Sequence, residues 1–252
     1  MAYVALGRTE QLKDIFIRGQ VDPEGIHASE VALEETNRLQ RIFDERVQTM
    51  NVQKQNCWKI SYLNVRSLKG KQLDVERDNF IMASDIFALG ETWLEPCESV
   101  NFLGYEANFA SHGTGKGVAT FSKMDSVQLN CVSSETFSAI HMRTEKFDLV
   151  FVYISSGCNK HEVFKLLEAW IENERPTAII GDTNMDYLKE CKIATFLETK
   201  GFEQQIKEAT KDSGSLIDQV YANEAMRSLN IITEQCSAYY SDHDIVSIYI
   251  PK

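Results

Sequence analysis

DIFALGETWL (Asp85–Leu94) sets an unbroken apolar run, Ile86-Phe87-Ala88-Leu89-Gly90, directly against an acid, Glu91. Five such residues are too few for a helix and read as a buried strand. The arrangement recurs along the chain. Asn64 follows Ile60–Leu63, and Asp182 and Asn184 follow Ala178–Gly181. Asp218 sits inside Leu216–Tyr221, and Asp242 and His243 precede Ile245–Ile248. Sheet proteins gather functional side chains at strand ends, on loops held by a rigid scaffold. Any one of these groups also fits a polar loop beside a strand. Five groups, all of types that bind hard cations or move protons, are harder to read that way.

The remaining apolar runs extend the pattern. Strands are expected over Lys59–Leu63, Ile86–Gly90, Gly117–Ser122, Ser126–Val132, Ala139–Met142, Asp148–Ile154, Thr177–Ile180, Ile217–Tyr221, Asn230–Glu234 and Ile245–Ile250. Helices are expected over Lys71–Met82, Lys160–Asn173 and Leu188–Lys200. Strands outnumber helices too far for an alternating βα barrel. The expected class is α/β (α+β), with two sheets packed face to face and helices outside. Before Trp58 the texture differs: Asp22-Pro23-Glu24-Gly25 reads as a turn, and Ser29 to about Gln48 as one amphipathic helix.

Composition narrows the function. With 26 Lys and Arg against 37 Asp and Glu, the net charge is −11, which argues against a protein that coats nucleic acid. No apolar run is long enough to span a membrane, and the N-terminus does not read as a signal peptide. The six cysteines have no CxxC or Cys/His ligand spacing, so a reduced intracellular protein with free thiols is expected. Carboxylate and amide oxygens suit Mg²⁺ or Mn²⁺. An Asp beside a phosphate can take a proton from water, and a His can stabilise the phosphate oxygens. The residues themselves lead to a metal-assisted hydrolase of a phosphate ester.

Seven stretches then occur in one order: LNVRSL (63–68), DIFALGETWL (85–94), GKGVATFSK (115–123), VFVYISS (150–156), GDTN (181–184), SLIDQVYAN (215–223) and SDHDIV (241–246). On these, residues 58–252 resemble the endonuclease/exonuclease/phosphatase family, nearest its apurinic-endonuclease and retrotransposon-type branches. The resemblance implies a four-layer α/β sandwich and a Mg²⁺-dependent (or Mn²⁺-dependent) endonuclease that nicks DNA to leave a 3′-hydroxyl and a 5′-phosphate. It implies that Glu91 and Asn64 hold the metal with Asp242 close by, that Asp182 deprotonates the attacking water, and that Asn184 holds phosphate oxygens. His243 would stabilise charge at the phosphate, Asp218 would orient His243, and Tyr153 would line the pocket. Lys211, Lys116 and Ser156 would contact substrate. The partner is DNA, with no membrane, no nucleotide cofactor and no oligomeric state implied; the expected location is intracellular and nuclear.

The chain departs from the family pattern in places. Thr183 stands where Phe or Leu is common, which reads as a packing change. Ile154-Ser155-Ser156 replaces a proline-bearing loop, and Lys211 replaces an arginine. The first block has a resemblance of its own: AYVALGRTEQLKDIFI (2–17) is similar to the C-terminal end of a Pif-type DNA helicase. There is no GxxxxGK[ST], so Arg8 has no nucleotide site to complete. The resulting division is a helical helicase remnant (1–50), a linker (51–57) and the endonuclease domain (58–252), as in Helitron-type transposon polyproteins. The alternatives are a phosphatase of a small phosphate ester and a transposon remnant that no longer catalyses.

Overall fold

The computed structural model describes residues 54–172 and 174–252, so the expected helicase remnant and the helix from Ser29 lie outside the described residues. In chain order the elements are β1 (Cys57–Asn64), α1 (Leu68–Arg77), α2 (Asn79–Met82), β2 (Ile86–Gly90), β3 (Glu106–Ala110), β4 (Val118–Ser122), β5 (Val127–Ser133), β6 (Phe137–Arg143), β7 (Asp148–Ile154), α3 (Lys160–Trp170), β8 (Thr177–Asp182), α4 (Lys192–Thr199), β9 (Phe202–Gln204), β10 (Asp218–Asn223), α5 (Glu224–Arg227), β11 (Ile232–Ser237) and β12 (Asp244–Pro251).

The strands form two six-stranded sheets, ordered β11-β12-β1-β2-β4-β3 and β5-β6-β7-β8-β10-β9. Each centres on a parallel pair, β1–β2 or β7–β8, with antiparallel neighbours outside it. Parallel neighbours need a crossover, which α1 and α2 supply in the first sheet and α3 in the second. The two halves thus share one topology although the sequence holds no visible repeat.

Three apolar layers make this a four-layer sandwich. Ile60, Ile86, Phe151, Ile180, Val220 and Ile248 pack between the sheets. Leu68, Val75 and Ile81 of α1 and α2 cover Phe87 and Phe121 on the outer face of the first sheet. Val163, Leu167, Ile193 and Leu197 of α3 and α4 cover Val150, Val152 and Ile179 on the second. Central strands are therefore buried on both sides, which is why β7 reads as a continuous apolar run, while edge strand β5 is largely exposed. Each such fully buried side chain contributes roughly 1.5–3 kcal/mol.

Two glycines let the strands end where they do. A Cβ on Gly181 would lie 1.8 Å from the Val152 carbonyl oxygen, and one on Gly90 would lie 1.9 Å from the Tyr62 hydroxyl. Each glycine stands immediately before one of the acids, Asp182 and Glu91.

The expected helix over Lys71–Met82 is two helices. Asp78 takes an extended conformation between them and accepts from the Phe80 and Ile81 amides, so it caps the second instead of continuing the first. Strands β3 and β9 were not expected; the first is a half-exposed edge strand and the second only three residues long. The helix expected from Leu188 starts at Lys192, and the one expected to reach Asn173 ends at Trp170. Among the described residues none of the six cysteines forms a disulfide. Among the described residues no helix is long and apolar enough to cross a membrane.

Candidate active site

The topology brings the polar strand ends to one edge of the sandwich. Asn64 closes β1, and Glu91 follows β2; Asp182 closes β8, and Asp218 opens β10. Asp182 and Asp218 are direct cross-strand partners, and Tyr153 lies beside Asp182 on β7. His243 stands just before β12, in a β-bridge with Lys211.

Hydrogen bonds tie these residues across the two sheets. The fully buried Asn64 amide donates to Glu91 Oε1 at 2.9 Å and to Asp182 Oδ2 at 2.7 Å. The second oxygen of Glu91 accepts from the Trp93 indole at 3.3 Å. Asp182 Oδ1 accepts from the Asn184 amide at 2.8 Å, and the Asn184 side chain donates to the Ile154 carbonyl at 2.8 Å. His243 Nδ1 lies 2.8 Å from Asp218 Oδ2, both groups buried. An ionised carboxylate only accepts, so that pairing fixes a proton on Nδ1. The Thr210 hydroxyl accepts from the Ile217 and Asp218 amides, and Ser241 donates to the Asn64 carbonyl at 2.7 Å.

The backbone is strained where these side chains are presented. Among the described residues six non-glycines have positive φ, and Arg66, Ser67, Glu91, Trp93 and Asn184 are five of them. Such conformations cost of order 1–3 kcal/mol each and persist where surrounding structure enforces them, commonly at functional sites.

Electrostatically the site is short of positive charge. Burial, together with the Asp218 charge, pushes Asp182 up to about 7. Burial also raises Asp218 against the pull of His243, Thr210 and Lys211. Burial opposes the charged form of His243, but the Asp218 hydrogen bond and the charges of Asp218 and Asp182 outweigh it and raise the imidazole. Tyr153 is raised by burial and by Glu91 and Asp182, so its hydroxyl keeps its proton at neutral pH. Asp242 goes the other way: burial opposes ionisation, yet the hydrogen bond from Arg66 at 3.0 Å and the nearby cations hold it low.

The donor set fits a hard divalent cation. The converging groups are oxygens, and the buried Asp218 Oδ1 and Asp242 Oδ1 have no hydrogen-bond partner. Asp182, Asp218 and His243 each offer a ligand atom within 4.8 Å of the others. That trio differs from Asn64, Glu91 and Asp242, to which the sequence points. Within that trio only His243 and Asp218 are hydrogen-bonded to each other, while Asp182 is held by Asn64 and the Asn184 amide.

Lys211 Nζ lies 3.7 Å from Asp242 Oδ2, at the site. Lys116 reaches it only through its carbonyl, which accepts from the Trp93 amide. Ser156 is exposed and makes no hydrogen bond to the cluster. Thr183 does more than pack: its buried hydroxyl bonds the Ile217 and Met185 carbonyls and pins the loop after β8. Sequence reasoning missed Arg66, Trp93, Thr210 and Ser241 as site residues, although Arg66 and Trp93 stand two residues after Asn64 and Glu91.

The endonuclease/exonuclease/phosphatase family model matches residues 49–243. No curated protein matches the chain. Among solved structures, the endonuclease domain of TRAS1, a telomere-specific non-LTR retrotransposon, is 17% identical with a TM-score of 0.61, covering 77% of this chain and 98% of that one. The 3′-5′ exonuclease NExo from Neisseria meningitidis is 18% identical with a TM-score of 0.60, covering 77% and 100%. An AP endonuclease from Archaeoglobus fulgidus is 16% identical with a TM-score of 0.60, covering 77% and 99%. At these identities the likeness is one of fold. The matched model covers most of the chain, which belongs to the endonuclease/exonuclease/phosphatase family.

Proposed function

We propose that the chain hydrolyses phosphodiester bonds of DNA in a divalent-metal-dependent reaction, nicking one strand to leave a 3′-hydroxyl and a 5′-phosphate. The observation that carries this reading is the buried Asp182–Asp218 pair, joined by Asn64 to Glu91 and by Asp218 to His243. Glu91 and Asn64, with Asp242 close by, would hold Mg²⁺ or Mn²⁺, and the ion would supply positive charge to the phosphate oxygens.

Asp182, pushed up to about 7, is matched to taking a proton from the attacking water near neutral pH. The water oxygen forms the new bond to phosphorus, the P–O3′ bond breaks, and the leaving 3′-oxygen takes a proton from solvent to become the 3′-hydroxyl. Asp218 holds the His243 proton on Nδ1, so Nε2 is the nitrogen that meets the phosphate, and the raised imidazole favours its charged, donating form. Asn184 and the Tyr153 hydroxyl donate to phosphate oxygens. Lys211, Lys116 and Ser156 flank the DNA backbone. A DNA substrate implies work in the nucleus. Residues 1–50, read as a helicase-derived remnant, and the linker 51–57 complete the proposed organisation.

The test is nicking of supercoiled plasmid with Mg²⁺ and with EDTA, alongside Glu91→Ala and His243→Ala. Metal-dependent nicking lost in both variants is expected. A folded wild type that leaves every DNA form intact would refute the reading. Turnover of a soluble phosphate ester would then make the chain a phosphatase, and silence on both would make it an inactive remnant.

A further inference from the structure

A groove of 430 Å³ opens beside the acid cluster, lined by Arg66, Lys71, Trp93, Tyr239, Tyr240 and Asp242. The sequence suggests that the tryptophans are core residues. Trp58 and Trp170 do pack against the core, but Trp93 is half-buried, belongs to no core cluster, and forms one wall of this groove.

Tyr239 is 76% exposed and, with Tyr240 and Trp93, gives the groove an aromatic rim. It is also held in place. Its hydroxyl donates to Asp74 at 3.1 Å, and its ring meets Tyr240 edge-on at 5.0 Å. Tyr240 is in turn tied to Asp78 at 3.0 Å. A ring immobilised beforehand loses little freedom when a planar group stacks on it.

The charge in the groove fits an anion. Arg66 is half-exposed and gives one of its nitrogens to Asp242, so that acid is neutralised and the rest of the guanidinium remains for another partner. Lys71 adds a second cation to the lining. On a chain of net charge −11, cations and fixed aromatics gathered at one place select an anionic, aromatic occupant. The groove is continuous with the acid cluster, because Asp242 adjoins His243 and the Trp93 indole donates to Glu91.

We propose that this groove seats one unstacked nucleotide of the DNA strand being cut, its base on the Tyr239 ring and its phosphate at Arg66. The assignment rests on the DNA-cleavage reading above.

The test is steady-state nicking and equilibrium DNA binding, each across a salt series, for wild type, Tyr239→Ala, Tyr239→Phe and Arg66→Ala, with thermal midpoints measured alongside. Stacking on an aromatic is sequence-tolerant and not ionic, so Tyr239→Ala raises KM and Kd about tenfold without changing the salt slope. Tyr239→Phe keeps the ring and stays within about twofold of wild type. Arg66→Ala lowers the salt slope by about one. Wild-type KM and Kd in Tyr239→Ala, on DNA that the wild type cuts, overturn the nucleotide seat alone. Equal losses in Tyr239→Ala and Tyr239→Phe overturn it too, because the hydroxyl tether would then be what matters. A wild type that neither binds nor cuts DNA overturns this proposal together with the cleavage reading.

Discussion

The second sheet carries a buried aspartate paired with a histidine at each end, and the two are neutralised in opposite ways. At the start of β7, Asp148 takes His141 Nε2 at 3.2 Å, Arg143 Nη2 at 2.6 Å and Arg175 Nε at 2.6 Å. Burial works against its charge, but these hydrogen bonds hold the carboxyl below its usual range, while burial keeps His141 low and neutral. At the start of β10, Asp218 has His243 and the Thr210 contact, faces a second acid across the strand, and keeps one oxygen unpartnered. Two arginines close the first pair and leave it a structural knot. The second is left open, with no arginine among its hydrogen bonds and one carboxylate oxygen unpartnered.

The largest difference appears when each aspartate side is broken in turn. Asp182→Asn removes the base and is expected to lower kcat for nicking by about 10²–10⁴-fold. It also removes a buried like charge, so the thermal midpoint without metal stays level or rises. Asp148→Asn leaves two arginines facing a lost charge, at a cost of about 3–5 kcal/mol and a fall in midpoint of roughly 10 °C. Nicking by the folded protein is unchanged. Thermal melts beside nicking assays check both; a destabilised Asp182→Asn or a catalytically dead, stable Asp148→Asn would break the comparison.

Metal sharpens it. A ligand that binds only the folded state at about a hundred times its Kd stabilises by about 2.7 kcal/mol. Mg²⁺ is expected to raise the midpoint of wild type and of Asp148→Asn, and to leave that of Glu91→Gln unmoved. A shift that survives in Glu91→Gln would move the ion to the Asp182–Asp218–His243 trio.

The contrast also shows what the sequence could and could not tell. Central strands announce themselves, because helices cover both outer faces and β2, β7 and β8 become continuous apolar runs, with an acid at the end of β2 and β8 and at the start of β7. Edge strand β3, EANFA, is half-exposed and carries no such signal. Asn64, Glu91, Asp182, Asp218 and His243 meet because strand order puts five strand ends at one edge, and that order follows from hydrogen bonds no local window contains. Arg66 and Asp242 pair across 176 positions. The Asp148 knot is half legible: Arg143 and Asp148 face each other in the β6–β7 hairpin, whereas Arg175 arrives from beyond α3.

Opposite shifts predict opposite pH slopes. Asp148 is depressed when folded, so the stability it adds is present above its unfolded pKa of about 4 and is lost as pH falls through the folded value. The gap in stability between wild type and Asp148→Asn should therefore close on acidification below about pH 4. Asp182 is raised to about 7, so the folded protein holds its proton more tightly than the unfolded chain does. In EDTA, wild type should lose stability as pH rises from about 4 to 7, and Asp182→Asn, which keeps only the raised Asp218, should lose less. Denaturant titrations at a series of pH values read both slopes, and parallel slopes would contradict the assignment.

The smallest effect tests whether burial or mere charge closes the Asp148 knot. Arg143 reaches two acids, Asp148 and the exposed Glu172, the latter at 2.8 Å. Glu172 lies in water, where an ion pair gains little over solvation, so Glu172→Ala should cost at most about half a kcal/mol. Arg175→Ala removes the guanidinium bonded to buried Asp148 and to the Thr144 and Glu145 carbonyls, so it leaves a buried carboxylate partly unpaired. Its cost should be several times larger. Chemical denaturation of the two variants at neutral pH separates them. Equal losses would mean that Asp148 is stabilised by the net charge around it, and the distinction between a closed and an open aspartate would then lose its physical basis.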